Sequence, residues 1–537
     1  MRERNEFILA DLISLRAEQK PDLDVLTFEH LSLDDGATPD EVRTYADLHA
    51  NSNRIAAQLI RYGMNKGDRF AIMMRNHPEF VEAMIAASIT GCVFVPVDPR
   101  IRGDKLGYML RNSGSRGVIC ADYCVNEVVA VRDQVPELAW ILSLESGEIG
   151  ADSLSTAAGT DFLGEVLSRP VETVDPVPVE LSDPLQIMYT SGTTGDPKGI
   201  VGDLMRFGGT GMMGGLFGYQ EDERPYTGLS LTHGNAQATA LCCSLMMGYR
   251  AVFSRRFTKS RLWEVARHYN CTSFSVLGGI ATALYSEPET PDDSDNPIRI
   301  VVSGGMPAAI WEAFEQRFDV KIFEFYGASD GGGMAYKPVG QGPVGSCGKP
   351  MDGIIMKILD EEGKECAPNV VGEICCRPEQ GDAAVEYFGN LEASARKIKS
   401  GWNRSGDMGH MDEEGWLFFD YRAGGGIRHN GDFINSGYVE KAMAESAQVD
   451  DVFVYGIEAA SGAPGEKDVV AAVVAKDSDA FDATELFNAC REKLEPNFVP
   501  TYIQLVEEIP KTASEKPQER FLKDSFSVGG ENIFTSG

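Results

Sequence analysis

Short apolar runs that alternate with longer helix-like stretches are the feature that most constrains how this chain can fold. The runs RFAIMM, CVFVPVD and GVICA have the length of buried strands, and HPEFVEAMIAASITG, between the first two, is typical of a helix. The same order recurs in IRIVVSGG, AAIWEAFEQRF and VKIFEFYG, where Pro307 is predicted to occupy the first helical position. Strands that alternate with helices predict an α/β fold, with layers built on parallel sheets.

Length and a change in sequence character predict two domains. A chain of 537 residues exceeds what a single hydrophobic core usually organises. After Tyr421 the glycine cluster RAGGGIRHNG precedes a segment with its own strands, VDDVFVYGI and KDVVAAVVA, and a helix-like ATELFNACREKL. We therefore predict a large N-terminal domain over residues 1–423 and a small α+β domain over residues 424–537, whose last residues, FSVGGENIFTSG, are expected to form a frayed tail.

The charge balance excludes some classes of partner. Forty-nine basic side chains oppose eighty-one acidic ones, which gives a formal net charge of -32. Such a surface repels nucleic acid and anionic membranes, so neither is predicted to bind. A solvated acidic surface that aids solubility and an adaptation to salt would both explain the excess. Any site for an anionic ligand must supply its own cations and backbone N–H groups.

Targeting signals and cysteines bear on the compartment. The N-terminal MRERNEFILADLISLRAEQ carries charges among its apolar residues, and no run elsewhere is long enough to cross a bilayer. Eleven cysteines, an odd number scattered through a long chain, are typical of reduced thiols. We expect a cytoplasmic protein without a membrane span, either a monomer or a homodimer.

The strongest local signal is the run YTSGTTGDPKG, which begins at Tyr189 and follows the apolar LQIMY. Its glycines let successive backbone N–H groups turn toward phosphate oxygens, its hydroxyls add donors, and its lysine adds a positive charge. The run lacks the spacing of a Walker loop. An ordinary glycine- and threonine-rich loop is the alternative. We predict a phosphate-binding loop with the following members: Thr190, Ser191, Gly192, Thr193, Thr194, Gly195 and Lys198.

This run resembles the phosphate loop of the adenylate-forming superfamily, which contains acyl-CoA synthetases, firefly luciferase and peptide-synthetase adenylation domains. Three further segments follow in the family's order: FYGASD, ending at Asp330, SGD, ending at Asp407, and PKTASEK, ending at Lys516. They resemble the family's Tyr-Gly-x-Thr-Glu, Thr-Gly-Asp and Pro-Lys-Thr-x-x-Gly-Lys segments. The stretch from His233 to Tyr269 resembles the group of ligases that includes crotonobetaine/carnitine-CoA ligase. The resemblance covers roughly residues 25 to 525.

The resemblance implies an ATP-dependent acyl-CoA ligase. Such an enzyme joins a carboxylic acid to ATP as acyl-AMP, releases pyrophosphate, and then passes the acyl group to coenzyme A. ATP, Mg²⁺ and coenzyme A are the implied cofactors. Residues 1–423 would bind ATP and the acyl group, and residues 424–537 would carry the catalytic lysine, Lys516, which neutralises charge as pyrophosphate leaves.

The resemblance also implies roles at the nucleotide. Tyr326 would stack against adenine, Asp407 would accept both ribose hydroxyls with Arg422 as a second contact, Ser329 would donate to the α-phosphate, and Asp330 would hold Mg²⁺. Two glycines, Gly304 and Gly327, are assigned to the same site.

The acyl pocket and the thiol channel are less sharply marked. His233, in LSLTHGNAQ, stands where the family places a gate at the acyl pocket, although a lone histidine is also commonly a packed residue. The helix-like AQATALCCSLMMG and residues 303–306 are expected to line that pocket, and core packing would explain the same composition. Arg428 and His429 could contact the thiol donor or could be exposed loop residues.

Three positions depart from the family pattern. Asp330 replaces a glutamate and shortens the reach toward Mg²⁺ by one methylene; Gly425 replaces the hinge aspartate; Glu515 replaces the glycine before the catalytic lysine. Glycines absorb large backbone changes, so a hinge is still predicted. Two alternatives stay open: an adenylation enzyme that loads a carrier protein or an amine, and a catalytically weak nucleotide-binding sensor.

Overall fold

The computed structural model describes most of the chain. The described residues are 3–148, 159–190, 197–327, 330–331, 333–422, 426–429, 432–434, 436–460, 466–512 and 515–536. They form two compact units. Unit 1 contains residues 1–258, 264–275 and 386–394, and unit 2 contains residues 259–263, 276–385 and 395–537.

Unit 1 is built on parallel sheets. Its strands are β1 (Asp24–Glu29), β2 (Glu41–Thr44), β3 (Arg69–Met73), β4 (Val93–Pro96), β5 (Ser115–Ala121), β6 (Trp140–Leu144), β7 (Thr160–Phe162), β8 (Pro184–Thr190), β9 (Lys198–Asp203), β10 (Pro225–Thr227) and β11 (Ala251–Ser254). One sheet has the order β7-β6-β5-β3-β4-β8-β9 and is parallel up to β8, which pairs with β9 in antiparallel fashion. A second has the order β2-β1-β11-β10.

The helices of unit 1 follow local signals. They are α1 (Leu9–Gln19), α2 (Leu31–Asp34), α3 (Tyr45–Arg61), α4 (Pro78–Thr90), α5 (Gly103–Ser113), α6 (Asp122–Val131), α7 (Leu163–Leu167), α8 (Leu204–Gly211), α9 (Gly214–Phe217), α10 (Gly234–Ala236) and α11 (Cys243–Met247). Thr44 and Asp47 form a capping box before α3. Pro78 begins α4, and Gly91 ends it with a φ of 68°. Between α10 and α11 the chain makes a π-helical turn, Gln237–Cys242.

The chain crosses between the units within α12 (Leu262–Tyr269), β12 (Ser273–Leu277) and, later, α15 (Leu391–Lys397). The strands of unit 2 are β13 (Ile300–Gly304), β14 (Lys321–Gly327), β15 (Met334–Lys337), β16 (Lys349–Pro350), β17 (Ile354–Leu359), β18 (Gly372–Pro378), β19 (Ile398–Lys399), β20 (Trp402–Met411), β21 (Leu417–Arg422), β22 (Ile427–His429), β23 (Asp432–Ile434), β24 (Val449–Glu458), β25 (Lys467–Ala475), β26 (Tyr502–Leu505) and β27 (Ile533–Thr535).

Unit 2 combines a parallel pair with antiparallel sheets. β13 and β14 are parallel, and β15 and β16 extend them in antiparallel fashion. β17, β18 and β20 form an antiparallel sheet in which β19 and β21 both pair with β20. The remaining helices are α13 (Gly278–Tyr285), α14 (Trp311–Phe318), α16 (Ser436–Ala444), α17 (Ala483–Lys493) and α18 (Glu519–Ser525). The sheet β24-β25-β26-β27 buries apolar side chains on both faces: Val469, Ala471 and Val473 in one core, Val470 and Ala472 in another.

The sequence predictions for the elements are largely confirmed. RFAIMM, CVFVPVD and GVICA contain β3, β4 and β5, HPEFVEAMIAASITG contains α4, and the segment after the glycine cluster contains β24, β25 and α17. The α/β class with parallel sheets is confirmed. The predicted boundary near Ala423 falls outside the described residues and stays a prediction.

Two local predictions are wrong. Pro307 does not begin a helix; α14 begins at Trp311, because residues 307–311 form a turn in which Ile310 N–H donates to the Pro307 carbonyl and Trp311 N–H to the Ala308 carbonyl. The C-terminal tail is not frayed, since Ile533, Phe534 and Thr535 form β27 and pair with β26. The second error comes from a strand pairing that lies outside the local pattern.

Candidate active site

The predicted phosphate loop connects two paired strands. β8 ends at Thr190 and β9 begins at Lys198, and these two residues face each other in the ladder. The Lys198 ammonium lies 5.0 Å from the centre of the Tyr387 ring, a cation–π contact that fixes the lysine side chain. Ser191, Gly192, Thr193, Thr194 and Gly195 lie outside the described residues, as does the side chain of Thr190. Their phosphate contacts therefore stay predictions.

Tyr326 and Asp407 are joined in unit 2. Tyr326 stands near the end of β14, Asp407 stands on β20, and the tyrosine hydroxyl donates to Asp407 Oδ2 at 2.8 Å. The Tyr326 residue is only 8% exposed, and its ring packs in a core with Met356, Ile374 and Leu417. Burial, and then the Asp407 charge, raise the pKa of Tyr326, so the phenol stays protonated and donates. In the structure Tyr326 therefore orients the Asp407 carboxylate through this hydrogen bond, while the stacking of the Tyr326 ring against adenine stays a prediction.

The backbone around Asp407 is fixed by short hydrogen bonds. Ser405 Oγ donates to the Ile374 carbonyl at 2.6 Å and accepts from Asp407 N–H at 2.9 Å. Gly406 has a φ of 76°, a conformation that glycine adopts without strain, and its N–H donates to Glu373. The sequence Ser-Gly-Asp therefore lies at an irregularity of strand β20 that these hydrogen bonds hold in place, and it presents one carboxylate.

Arg422 approaches that carboxylate from the neighbouring strand. It faces Asp407 in the β20–β21 ladder, and its Nη1 lies 3.0 Å from Asp407 Oδ1. The arginine side chain is 57% exposed, whereas that of Asp407 is 8% exposed. A buried carboxylate beside an exposed guanidinium suits a ligand that offers hydroxyl donors to the acid and negative charge to the arginine.

Lys516 belongs to the same unit and lies near both residues. Although Lys516 as a residue is exposed, desolvation by the surrounding protein lowers its pKa; the Arg422 charge lowers it further, and the Asp407 charge opposes both. Two contacts hold its loop: Thr512 N–H donates to the Lys516 carbonyl at 2.8 Å, and Lys511 pairs with Asp451 on β24 at 2.6 Å. The structure therefore places Lys516, Arg422 and Asp407 near one another, and their catalytic roles stay predictions.

Asp330 is held by a lysine that the sequence motifs do not contain. Lys397 Nζ lies 2.8 Å from Asp330 Oδ2, and the two side chains are 14% and 13% exposed. The same ammonium donates to the Ser405 carbonyl at 3.2 Å. Ser329 lies outside the described residues, so its contact with the α-phosphate stays a prediction.

The two predicted site glycines end the parallel strands β13 and β14. A Cβ at Gly304 would lie 3.2 Å from Leu277 Cδ2, so the position is tight, and Gly327 is exposed at the end of β14. The segment after Gly304 is anchored by Glu324, a residue that the sequence reasoning missed. Its carboxyl accepts the N–H groups of Gly305 and Met306 and is buried. Burial raises the pKa of Glu324 to about 7, although these hydrogen bonds and Lys337 oppose the shift.

His233 stands at a break in regular helix. It is partly buried and immediately precedes α10, and its carbonyl accepts from Gln237 N–H at 3.3 Å. The helix predicted in AQATALCCSLMMG is present, but its first part is the π-helical turn. Such turns are rare and occur often at functional sites. This geometry is compatible with the predicted gate, which stays a prediction.

The predicted thiol contacts differ in their settings. Arg428 is half exposed and lies 3.2 Å from Glu466, while His429 is largely buried, and its Nδ1 lies 2.7 Å from the Lys467 carbonyl. His429 is therefore tied to β25. The hinge residue Gly425 lies outside the described residues.

Comparison with known proteins identifies the family. The model of the AMP-binding enzyme family matches residues 14–381, which is more than half of the chain, and the model of the AMP-binding enzyme C-terminal domain matches residues 438–516. The chain belongs to the AMP-binding enzyme family. The resemblance to adenylate-forming acyl-CoA ligases that the four motifs indicated is thereby confirmed.

This AMP-binding enzyme has relatives and structural neighbours of nearly its own length. Crotonobetaine/carnitine-CoA ligase of Salmonella typhi is 25% identical over 488 residues, 89% of this chain and 93% of the relative. Human long-chain fatty acid transport protein 1 is 27% identical over 92% of this chain and 80% of its own. The anthranilate CoA ligase AuaEII, solved with anthranoyl-AMP, superposes with a TM-score of 0.81 at 21% identity, covering 96% of both chains. The last comparison shows a shared fold.

Two negative findings apply to the part of this AMP-binding enzyme that the structure describes. Within it, no helix is long and apolar enough to span a membrane. The described side chains also include no group of three or more His, Cys, Asp or Glu residues placed to hold a metal ion.

Proposed function

We propose that this chain is an ATP-dependent acyl-CoA ligase. It would form acyl-AMP and pyrophosphate from a carboxylic acid and ATP, and then acyl-CoA and AMP. The observation that carries the proposal is the placement of Asp407, Arg422 and Lys516 in one unit: a buried acid for ribose hydroxyls, an exposed guanidinium, and an ammonium on a separate loop. A nucleotide held by the first two would have its phosphates within reach of cationic groups.

In the first half-reaction an oxygen of the substrate carboxylate attacks the α-phosphorus, and the bond to pyrophosphate breaks. Lys516 would stabilise the negative charge that develops on the phosphoryl oxygens. Asp407, oriented by Tyr326, would fix the ribose and thereby the position of the α-phosphorus. In the second half-reaction the thiol sulfur of coenzyme A attacks the acyl carbon, AMP leaves, and the thiol proton passes to solvent. We propose that Lys516 acts only in the first.

The residues at Asp330 fit a magnesium ion carried by the nucleotide. Mg²⁺ commonly takes one or two protein carboxylates and completes its shell with phosphate oxygens and water. A single carboxylate at Asp330 suits that pattern. When bound, the ion would neutralise phosphate charge and help pyrophosphate to leave. O-succinylbenzoate CoA synthetase of Bacillus subtilis, 24% identical with a TM-score of 0.73 over 96% of this chain and 99% of that one, was solved with ATP and a magnesium ion.

Free coenzyme A is the acceptor that we favour. The similar relatives named CoA ligases support it, and the carrier-protein and amine alternatives predict a different product.

All eleven cysteines are free and ten of them are buried, which supports a reducing compartment such as the cytoplasm. The identity of the acid is left to experiment, because a few side chains decide it.

Pyrophosphate release with a panel of carboxylic acids, with and without coenzyme A, tests the proposal. We expect release that depends on one class of acid, and a thioester product when coenzyme A is present. An acyl-AMP that reacts only with amines or with a carrier protein would select the first alternative. ATP binding without acid-dependent release of pyrophosphate would select the sensor and refute the ligase.

A further inference from the structure

Lys397 occupies a position that no predicted role explains. It is the last residue of α15, and its ammonium contacts both Asp330 and the carbonyl of Ser405. Asp330 ends the segment predicted to meet the phosphates and Mg²⁺, and Ser405 begins the segment that carries the predicted ribose acid. One cation therefore connects the two ends of the proposed nucleotide site.

The surroundings make this ion pair more than a surface contact. Both side chains are about seven-eighths buried, and their charges act on the thiol of Cys376, which belongs to the apolar core that contains Tyr326. Charges in such a setting are poorly screened, so removing one partner leaves the other uncompensated. An exposed lysine in the same place would have little effect.

The aspartate also differs from the glutamate that the resemblance leads one to expect. Asp330 is one methylene shorter, and Lys397 holds its Oδ2 at 2.8 Å. A carboxylate that is already paired with an ammonium attracts a divalent cation less strongly than a bare one, and it repels phosphate less strongly when the metal is absent.

We propose that Lys397 is a positioning residue that fixes Asp330 against the ribose segment and serves as a built-in counter-cation at the phosphate end of the site. The inference rests on the proposed function, because it assumes that ATP binds there. Its consequence is that ATP binding by this protein depends on Mg²⁺ less than it would if Asp330 were unpaired. Lys397 thus tunes the coupling between the metal and the nucleotide.

Calorimetric titration of the full chain with ATP, once in EDTA and once in excess Mg²⁺, measures that coupling as the ratio of the two dissociation constants. Lys397→Met removes the charge and keeps the length of the side chain. We expect it to raise the ratio, Kd in EDTA over Kd in Mg²⁺, by about tenfold, a common size for coupling between two ligands. Lys397→Arg keeps the charge and should restore a ratio within about threefold of wild type.

The control is Lys399→Met, which removes an exposed lysine two residues away and should leave the ratio unchanged. If Lys397→Met does not fold, Lys397→Gln removes the same charge while its amide can still donate, and the same rise is expected. Equal weakening of both dissociation constants, with an unchanged ratio, would mean that Lys397 only stabilises the fold and would overturn the proposal. Failure of the wild type to bind ATP in either buffer would instead refute the proposed function, and this inference with it.

Discussion

At the scale of single residues, Lys516 is predicted to be needed for the formation of acyl-AMP and not for the transfer of the acyl group to coenzyme A. Lys516→Ala should lower the rate of acyl-AMP formation by two to three orders of magnitude, roughly the loss seen when one charge-stabilising donor is removed. It should leave conversion of supplied acyl-AMP to thioester nearly unchanged. Single-turnover assays of each half-reaction measure this, with Lys523→Ala on α18 as control. Equal loss in both half-reactions would contradict a role confined to adenylation.

Tyr326 offers a second test at this scale. Tyr326→Phe removes the hydrogen bond to Asp407 and keeps the ring in its core. A hydrogen bond to a charged group contributes roughly 1.5–3 kcal/mol, so the KM for ATP should rise about tenfold or more while the protein stays folded. Steady-state kinetics with varied ATP measure it, and Tyr336→Phe on β15 is the matched control. An unchanged KM would show that Asp407 needs no such support or does not contact the nucleotide.

The sequence could predict those site residues that lie in a recognisable motif, and it could not predict those whose role depends on contacts between distant segments. Tyr326, Asp407 and Lys516 stand in contiguous segments that resemble motifs of the family, and this resemblance singled them out. Lys397 and Glu324 carry no such local mark: one is the last residue of an ordinary short helix, and the other is a charged residue in a strand. Their importance arises from contacts that only the folded chain creates, at Asp330 and at the N–H groups of Gly305 and Met306.

At the scale of elements, the loop before Lys516 contains a strained residue. Glu515 has a φ of 57°, a left-handed conformation that costs a non-glycine residue roughly 1–2 kcal/mol. Glu515 therefore differs from the family's glycine only in its side chain, because its backbone has the left-handed conformation that glycine adopts readily. The loop still closes, because Glu515 N–H donates to the Thr512 carbonyl at 2.9 Å.

Substitutions at Glu515 should follow the preference for that conformation. Glu515→Gly is expected to raise the free energy of unfolding by up to about 1 kcal/mol, and with it the thermal midpoint. The rate of adenylation should stay unchanged. Glu515→Val should lower both the thermal midpoint and the rate of adenylation, because a β-branched residue disfavours positive φ and would displace Lys516. Thermal unfolding and pyrophosphate release provide the two measurements. Glu508→Gly, outside the left-handed region, should be destabilising, and the same gain at both positions would refute the explanation.

Some helices and strands could be predicted from local sequence signals, and others could not. α4 and α17 could be predicted because their start signals lie next to them: Pro78 in one case, Asp482 capping the first N–H groups in the other. β27 could not, since a short strand in a polar tail exists only because β26 offers it an edge. The late start of α14 could not be predicted either, because a turn at residues 307–311 precedes it.

At the scale of the whole molecule, buried carboxyl groups and the net charge of -32 both make the stability of the fold depend on pH. Burial raises the pKa values of Glu79, Glu324 and Glu440 to about 7, with the nearby Glu82 charge contributing at Glu79. For Asp293 the direction is opposite: burial would raise its pKa, but hydrogen bonds from Thr290 and Arg317 outweigh it and lower the value. The two groups of carboxyls therefore act on stability in different pH ranges.

The sign of the effect follows from linkage. A carboxyl whose pKa is raised in the folded state favours folding fully below about pH 4.5, and that contribution is lost as the pH rises toward 7. Asp293 contributes above its unfolded pKa and loses that contribution in acid. We therefore expect the thermal midpoint to be highest near pH 5 and to fall between pH 5 and 8, a fall that the repulsion among surface carboxylates reinforces.

Glu324→Gln isolates one share of that fall, because glutamine cannot ionise. The substitution loses one acceptor for the N–H groups of Gly305 and Met306, so the variant should be less stable than wild type at pH 5. The difference should shrink by on the order of 3 kcal/mol between pH 5 and 8, as wild type alone bears the cost of a buried charge. Thermal midpoints at both pH values measure it, and the exposed Glu458→Gln should follow wild type throughout. A difference between Glu324→Gln and wild type that stays constant with pH would mean that Glu324 remains neutral, or is hydrated when charged, over this range.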